Sequence, residues 1–211
     1  MSDFLSSDNI KDFPQAAFLK EFLIGHPGII AGGCFRSIFA GSQPKDIDMF
    51  FESKADFRDA VQYFKQNTDD YSPAYSNKNV ESFVHLKSKI RVECVKTLFG
   101  TPQEILNQFD FTIAKMAFSI ECDPPDDEDG DWIYTDSITY HPQFFEHLVM
   151  KRLVVDNALP FPISTFNRCF KYAKYGFFPC RETKLKILRA INELPSVDEE
   201  MLAKSMYEGH D

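Results

Sequence analysis

The feature that most constrains this chain lies in residues 28–51. A short apolar run, Gly28-Ile29-Ile30-Ala31, leads into Gly32-Gly33. CFRSIFAG follows, and then Lys45-Asp46-Ile47-Asp48 opens the apolar stretch Met49-Phe50-Phe51. The pattern predicts a strand, a glycine turn, a short helix ended by Gly41, and a second, buried strand. Residues i and i+2 of a strand face the same side, so Asp46 and Asp48 project together. Two neighbouring carboxylates are costly without a cation between them, and hard oxygen ligands suit Mg²⁺ or Mn²⁺. Gly32 and Gly33 leave bare backbone at a helix N-terminus, where unpaired N–H groups attract phosphate. Metal and phosphate side by side meet the requirement for in-line displacement at the α-phosphate of a nucleoside triphosphate. The two other common phosphate motifs, G-x-x-x-x-G-K-[ST] and G-x-G-x-x-G, are absent.

The rest of the chain sets the context. Its 211 residues are enough for one domain with an appendage, and 22 Phe provide a sizeable core. With 23 Lys+Arg against 32 Asp+Glu, the formal charge is −9. That balance argues against an extended nucleic-acid footprint, because phosphate neutralisation by basic side chains supplies most non-specific affinity. Cys34, Cys94, Cys122, Cys169 and Cys180 are scattered and form no C-x-x-C, so neither a disulfide framework nor a zinc site is expected. The start, MSDFLSSDNIKDF, carries acids where a signal peptide needs basic and then apolar residues, and no apolar run approaches membrane length. A cytoplasmic chain with no membrane span is the expectation.

Periodicity predicts helices over Pro14–Leu23, Ala55–Gln66 and Pro102–Leu106. Two or three antiparallel strands are expected within Tyr71–Lys96, with turns at Asn77-Lys78-Asn79 and Lys87-Ser88-Lys89. Residues 109–120, FDFTIAKMAFSI, fit helix or strand equally. Residues 121–131 form an acidic loop, and helices are expected near 142–149, 164–177, 181–194 and 198–207. The predicted class is α/β, or α+β: a head over residues 1–140 with a mixed sheet flanked by helices, followed by a small helical C-terminal extension over 141–211.

These blocks resemble the DNA polymerase β-type nucleotidyltransferase superfamily, in particular the head and neck of class II CCA-adding tRNA nucleotidyltransferases and poly(A) polymerases. GGCFRSIFAGSQPKDIDMFF is similar to G-G-x-x-R-D-x-L-x-G-x-x-x-x-D-x-D, with Ser37 in place of the usual Asp. FDFTIAKMAF is similar to R-R-D-F-T-x-N-A-x-x-Y, matching Asp110, Phe111 and Thr112 without the arginines. FNRCFKYAKYGFFPCRET resembles the neck pattern, with Arg168 and Lys171 one position late. Small stand-alone nucleotidyltransferase-like proteins, often carried by phages, resemble the chain more closely still. The E-D-x-x-R base-reading motif is absent.

The resemblance implies a metal-dependent enzyme that transfers a nucleoside monophosphate from an NTP to a hydroxyl on an RNA 3′ end, a protein or a small molecule, releasing pyrophosphate. Asp46 and Asp48 would bind Mg²⁺ or Mn²⁺. Glu93, in the strand-like IRVECV, or Asp110, in the FDFT block, would complete the catalytic carboxylates. Gly32 and Gly33 would cradle phosphate, and Arg36, Arg168 and Lys171 would neutralise it. Arg168, Lys171 and Lys174 share a helix face, with Phe166, Phe170, Ala173 and Phe177 as its apolar counterpart. Tyr172 is expected in the core or at the rim. The alternative is a catalytically inactive member of the fold that binds nucleotide or protein.

Overall fold

The computed structural model describes residues 4–123, 133–156 and 159–194. Most of the predicted acidic loop and the helix predicted over 198–207 lie outside these residues. The described chain begins with β1 (Leu5–Ser7) and two 3-10 segments, Ile10–Asp12 and Pro14–Phe22. Next come β2 (Ile29–Ala31), α1 (Gly33–Phe39), β3 (Asp46–Phe51) and α2 (Lys54–Gln66). The hairpin β4 (Tyr71–Ser76) and β5 (Val80–His85) leads to β6 (Arg91–Phe99) and α3 (Pro102–Asn107). A 3-10 turn over Thr112–Ala114 precedes β7 (Met116–Asp123) and β8 (Ile133–Tyr140). The described residues end with α4 (Phe144–Val149), β9 (Arg152–Leu153), α5 (Pro162–Ala173), β10 (Phe178–Pro179) and α6 (Arg181–Asn192).

Among the described residues eight strands form one sheet in the order β1-β8-β7-β2-β3-β6-β5-β4. The β3–β6 pair is parallel and its other neighbours are antiparallel, so the sheet is mixed. The parallel pair requires a long crossover, supplied by α2 and the β4–β5 hairpin. Helix α2 starts sharply because Ser53 and Asp56 form a reciprocal capping box.

The alternation of β3 sorts its two faces. Ile47, Met49 and Phe51 enter the main core, while Phe50, on the face of Asp46 and Asp48, joins a smaller cluster with Ile29, Ala31, Ile105, Leu106 and Ala117. In β6 the same alternation sends Val92 and Cys94 into the main core and leaves Glu93 on the carboxylate face.

The segment over 14–22 is helical as predicted, but as a nine-residue 3-10 helix. Its buried residues Ala16, Leu19 and Phe22 recur every third position, which suits three residues per turn. Residues 109–120 resolve into an irregular lead, a 3-10 turn and the start of β7. Strand β8 lies between the acidic stretch and the helical tail, where no element was predicted.

The main apolar cluster runs on past Tyr140 through Phe144, Leu148, Leu153, Val155, Phe177 and Ile187. Thr112 N–H donates to the Val154 carbonyl at 3.0 Å, tying the FDFT block to the C-terminal segment. Lys115, fully buried, reaches Asp156 at 3.0 Å. Helix α5 departs from expectation in its orientation: Phe166 and Phe170 are exposed and pack edge-to-face on each other, while Phe177 alone of the expected aromatic side reaches the core. The helix is anchored instead by its buried first residues, Pro162–Thr165, so Arg168 and Lys171 lie half-buried.

A candidate active site at a row of carboxylates

The site grows from the sheet register. Asp48 in β3 pairs with Ala31 at the end of β2 on one side and with Glu93 in β6 on the other. One further strand away Glu93 pairs with Ser82, and Ser82 with Tyr75. A transverse row, Ala31, Asp48, Glu93, Ser82, Tyr75, thus crosses five strands on one face, with Asp46 two residues from Asp48. Glu93 is 6% exposed.

Gly32 stands at the β2 end of this row. Its φ of +96° is a conformation that L side chains rarely adopt, and an added β-carbon would come within 3.4 Å of the Phe109 ring and 3.7 Å of Asp48 Oδ2. Glycine there keeps the start of α1 close to the carboxylates. Nothing crowds the corresponding position at Gly33, so the turn is open on that side.

Burial, then Glu93, then Asp46 push the Asp48 carboxyl up to about 7, while Lys171 and Arg168 pull it down. Lys171 and Arg168 thus lie close enough for their charge to act on Asp48. The same crowding, with burial as the larger cause, raises the Cys34 thiol and leaves it a neutral, buried neighbour. Three carboxylates in neighbouring register positions form a hard oxygen donor set suited to a divalent cation. Among the described residues, however, no three His, Cys, Asp or Glu side chains are already gathered as a metal-holding group. Glu93 is engaged by its neighbours: Tyr75 Oη donates to its Oε1 at 2.6 Å, and Arg91 Nη1 lies 3.5 Å from the same oxygen. Arg91 also sits over the Tyr75 ring at 5.8 Å.

Asp110 does not join the row through its oxygens. It is 4% exposed and accepts three hydrogen bonds: from Phe111 N–H to Oδ1 at 2.9 Å, and to Oδ2 from Thr165 Oγ1 at 2.9 Å and Arg168 Nη1 at 2.8 Å. Its geometry is that of an anchor clamping the FDFT block to α5. Arg168 consequently bridges, with Asp110 bound on one side and Asp48 felt on the other.

Arg36 is likewise engaged away from the row. It donates to Ser37 Oγ at 2.9 Å and lies over the rings of Tyr175 at 4.1 Å and Tyr172 at 5.3 Å. Ser37, in the place of the resembling family's Asp, accepts from its neighbour instead of charging the site. Tyr172 is a rim residue packed edge-to-face on Phe111 and Phe177. Burial and Asp110 push its phenol up to about 12.

Of the nine residues expected at the site, the structure gathers Asp46, Asp48, Glu93, Gly32 and Gly33 around one row, with Arg168 and Lys171 near enough to act on Asp48, and engages Asp110 and Arg36 away from it. The sequence reading missed Tyr75, Arg91, Ser82 and Thr165. Pro73 was the available signal for Tyr75, since proline inside a strand marks an edge or a bulge. The β4–β5 register shifts between Pro73 and Tyr75. The extra residue, Ala74, turns Tyr75 onto the carboxylate face, as a bulge re-aims the side chain that follows it.

The family model for Gad2, the Gabija anti-defense 2 family protein, matches residues 6–151. The chain belongs to the Gabija anti-defense 2 family. A curated relative from Bacillus phage SPbetaL7, named Gabija anti-defense 2, is 26% identical over 157 residues, covering 73% of this chain and 34% of the relative. The chain thus spans about a third of that relative's length.

Among solved structures, the complex of a CCA-adding enzyme with CTP superposes with a TM-score of 0.65 at 17% identity, over 95% of this chain and 50% of that one. A tRNA nucleotidyltransferase complexed with a primer tRNA and an incoming ATP analog gives 0.56 at 19% identity, over 92% and 55%. The Thermotoga maritima CCA-adding enzyme complexed with tRNA gives 0.59 at 18% identity, over 94% and 47%. The fold is that of the CCA-adding enzyme head, a mixed sheet with flanking helices. Among the described residues no helix is long and apolar enough to cross a membrane.

Proposed function

We propose that this chain is a metal-dependent nucleotidyltransferase that moves a nucleoside monophosphate from an NTP to a hydroxyl and releases pyrophosphate. The observation that carries the reading is the in-register placement of Asp48 and Glu93, with Asp46 beside them and the Gly32 turn at the other edge of Asp48. Asp46, Asp48 and Glu93 would hold Mg²⁺ or Mn²⁺, which when bound supplies charge neutralisation at the reacting phosphate. The backbone at Gly32 and Gly33 faces the phosphates, and Lys171 and Arg168 add positive charge opposite Asp48. Glu93 accepts the proton of the attacking hydroxyl. Asp110 and Arg36 act as positioning residues: Asp110 fixes Arg168, and Arg36 holds α1 against the end of α5.

The structural neighbours' complexes with CTP and an ATP analog support an NTP as donor. The family's description supports a Gabija defence component, or a molecule on which that defence depends, as the destination of the chemistry. The acceptor class stays open among an RNA 3′ end, a protein and a small molecule, and the acidic charge favours one without a long nucleic-acid footprint.

The second reading, a nucleotide- or protein-binding module without turnover, is favoured by one observation: Glu93 is already engaged by Tyr75 and Arg91. Pyrophosphate release from each NTP, with Mg²⁺ or Mn²⁺ and fractionated acceptors, separates the two. The enzyme reading expects release that falls at least a hundredfold in Asp46→Ala/Asp48→Ala. Metal-dependent NTP binding with no release from any fraction supports the module instead.

A further inference from the structure

We propose that the chain carries its own nucleotidyl acceptor, the phenol of Tyr75, and modifies itself there with a nucleoside monophosphate. The inference rests on the nucleotidyltransferase reading and adds an acceptor to it.

Three observations converge on Tyr75. Its Oη donates to Glu93 Oε1 at 2.6 Å, so the hydroxyl proton already points at the carboxylate that the reading above makes the base. A general base must lie within hydrogen-bond reach of the proton it removes, and this pair meets that distance with no rearrangement. The hydroxyl also lies on the correct side. Along the transverse row the Gly32 turn stands next to Asp48 on the β2 side, and Tyr75 reaches Glu93 from the β4 side. Neighbouring strands are about 4.8 Å apart, so the phosphate cradle and the phenol flank the carboxylates from opposite directions. In-line displacement needs the nucleophile and the leaving group on opposite sides of the reacting phosphorus.

The third observation concerns how the phenol gets there. Tyr75 belongs to an edge strand, and the register shift after Pro73 puts it on the carboxylate face. Between Tyr75 and Glu93 the row holds only the small side chain of Ser82, whose buried hydroxyl has no hydrogen-bond partner in the structure. A bulkier residue there would block the phenol's path, and the unpaired hydroxyl leaves a polar atom ready for an incoming group. Tyr75 is 40% exposed, with room for a bulky adduct on its outer side.

The step balances without a further reagent. Tyr75 Oη forms a bond to the α-phosphorus of the NTP as the bond from that phosphorus to the oxygen bridging the β-phosphate breaks. The phenolic proton passes to Glu93, and pyrophosphate leaves. The product is a phosphodiester between tyrosine and the nucleoside. Arg91, beside both Tyr75 and Glu93, can keep the phenol stacked and neutralise the oxygen as charge develops.

The test incubates the whole chain with each of the four α-³²P-labelled NTPs and Mg²⁺ or Mn²⁺, then denatures it. Protein-bound label should appear with at least one NTP, and peptide mass spectrometry should place a nucleoside monophosphate on Tyr75. Tyr75→Phe should lose at least nine-tenths of the label while still melting cooperatively and binding NTP with metal, its melting temperature lowered by the few degrees that losing the bond to Glu93 costs. Metal-dependent NTP binding or pyrophosphate release without protein-bound label overturns the Tyr75 acceptor and leaves the enzyme reading standing. So does label that persists in Tyr75→Phe or maps elsewhere. Absence of NTP binding under every metal condition overturns both.

Discussion

Replacing Asp110 by Asn should cost about 3 kcal/mol of stability, which assigns that residue to the scaffold. The buried carboxylate takes hydrogen bonds on both oxygens: Phe111 N–H on Oδ1, and Thr165 Oγ1 with Arg168 Nη1 on Oδ2. An Asn side chain offers one acceptor oxygen and one amino group. If its oxygen stays toward α5, the amino group faces the Phe111 N–H, donor against donor. If it flips, the amino group faces the Arg168 guanidinium. Either way one donor is left unmade, costing ~1 kcal/mol, and the charge assistance to Arg168 is lost at ~1.5–3 kcal/mol. The Arg168 side chain is 37% exposed, so water recovers part of the second amount and its lower half applies. For a chain of this size a loss of ~3 kcal/mol lowers the melting temperature by about 6–12 °C. Thermal melts of Asp110→Asn, Arg168→Met and the double variant should show the shift and a coupling of at least ~1 kcal/mol between the two sites. A melting temperature within a degree of wild type, or additive effects, would refute the anchor.

The remaining predictions concern other parts of the frame. Gly32→Ala should destabilise by ~1–3 kcal/mol, because φ is +96°, a conformation that L side chains rarely adopt; urea titration reads this directly, and a neutral result would remove the argument for a strained glycine turn. Asp156→Asn strips the charge partner from fully buried Lys115 and should cost ~3 kcal/mol, which Lys115→Met in the same chain should largely restore. Hydrogen bonding from Ser76, then Lys96 and Lys65, holds the Glu81 carboxyl down at about 2, below its ordinary 4.5. Because the folded state holds its charge more tightly, this contribution is full above pH ~4.5 and is lost as pH falls toward 2; after discounting for solvent screening it is about 1 kcal/mol. Glu81→Gln should flatten the acid limb of stability in that window, and an unchanged limb would show the cluster to be inert.

The parts of this molecule that were legible in the sequence are those written locally. The β2-glycine-α1-β3 block declares itself because strand alternation, the glycine break and the D-x-D lie within one short stretch, and Asp46 and Asp48 must share a face once β3 is a strand. Glu93 was legible as a strand residue. Its pairing with Asp48 depends on the parallel crossover, a long-range choice that periodicity does not encode. Strand β8 escaped because IYTDSITY mixes polar and apolar residues on both faces and sits beside an acidic run. Helix α5 was placed correctly and rotated wrongly: Phe166 and Phe170 form an aromatic face by spacing alone, yet the buried Thr165–Asp110–Arg168 network fixes the helix with those rings outward. A buried, charge-assisted network can override apolar patterning where its partner, here Asp110, comes from a distant segment. Tyr75 was hidden for a related reason, because a one-residue bulge reverses which side of the strand it occupies.

The central claim, that the carboxylate row and the Gly32 turn together form a metal–nucleotide site, is tested most directly by thermal melts of the full chain with Mg²⁺ and each NTP in millimolar excess. Ligand at a hundred times its dissociation constant adds about 2.7 kcal/mol, so the account predicts an upward shift of about 5–10 °C with at least one NTP, requiring metal and absent in Asp46→Ala/Asp48→Ala. A chain that melts at the same temperature with every NTP and metal, or a double variant that shifts as far as wild type, would contradict it.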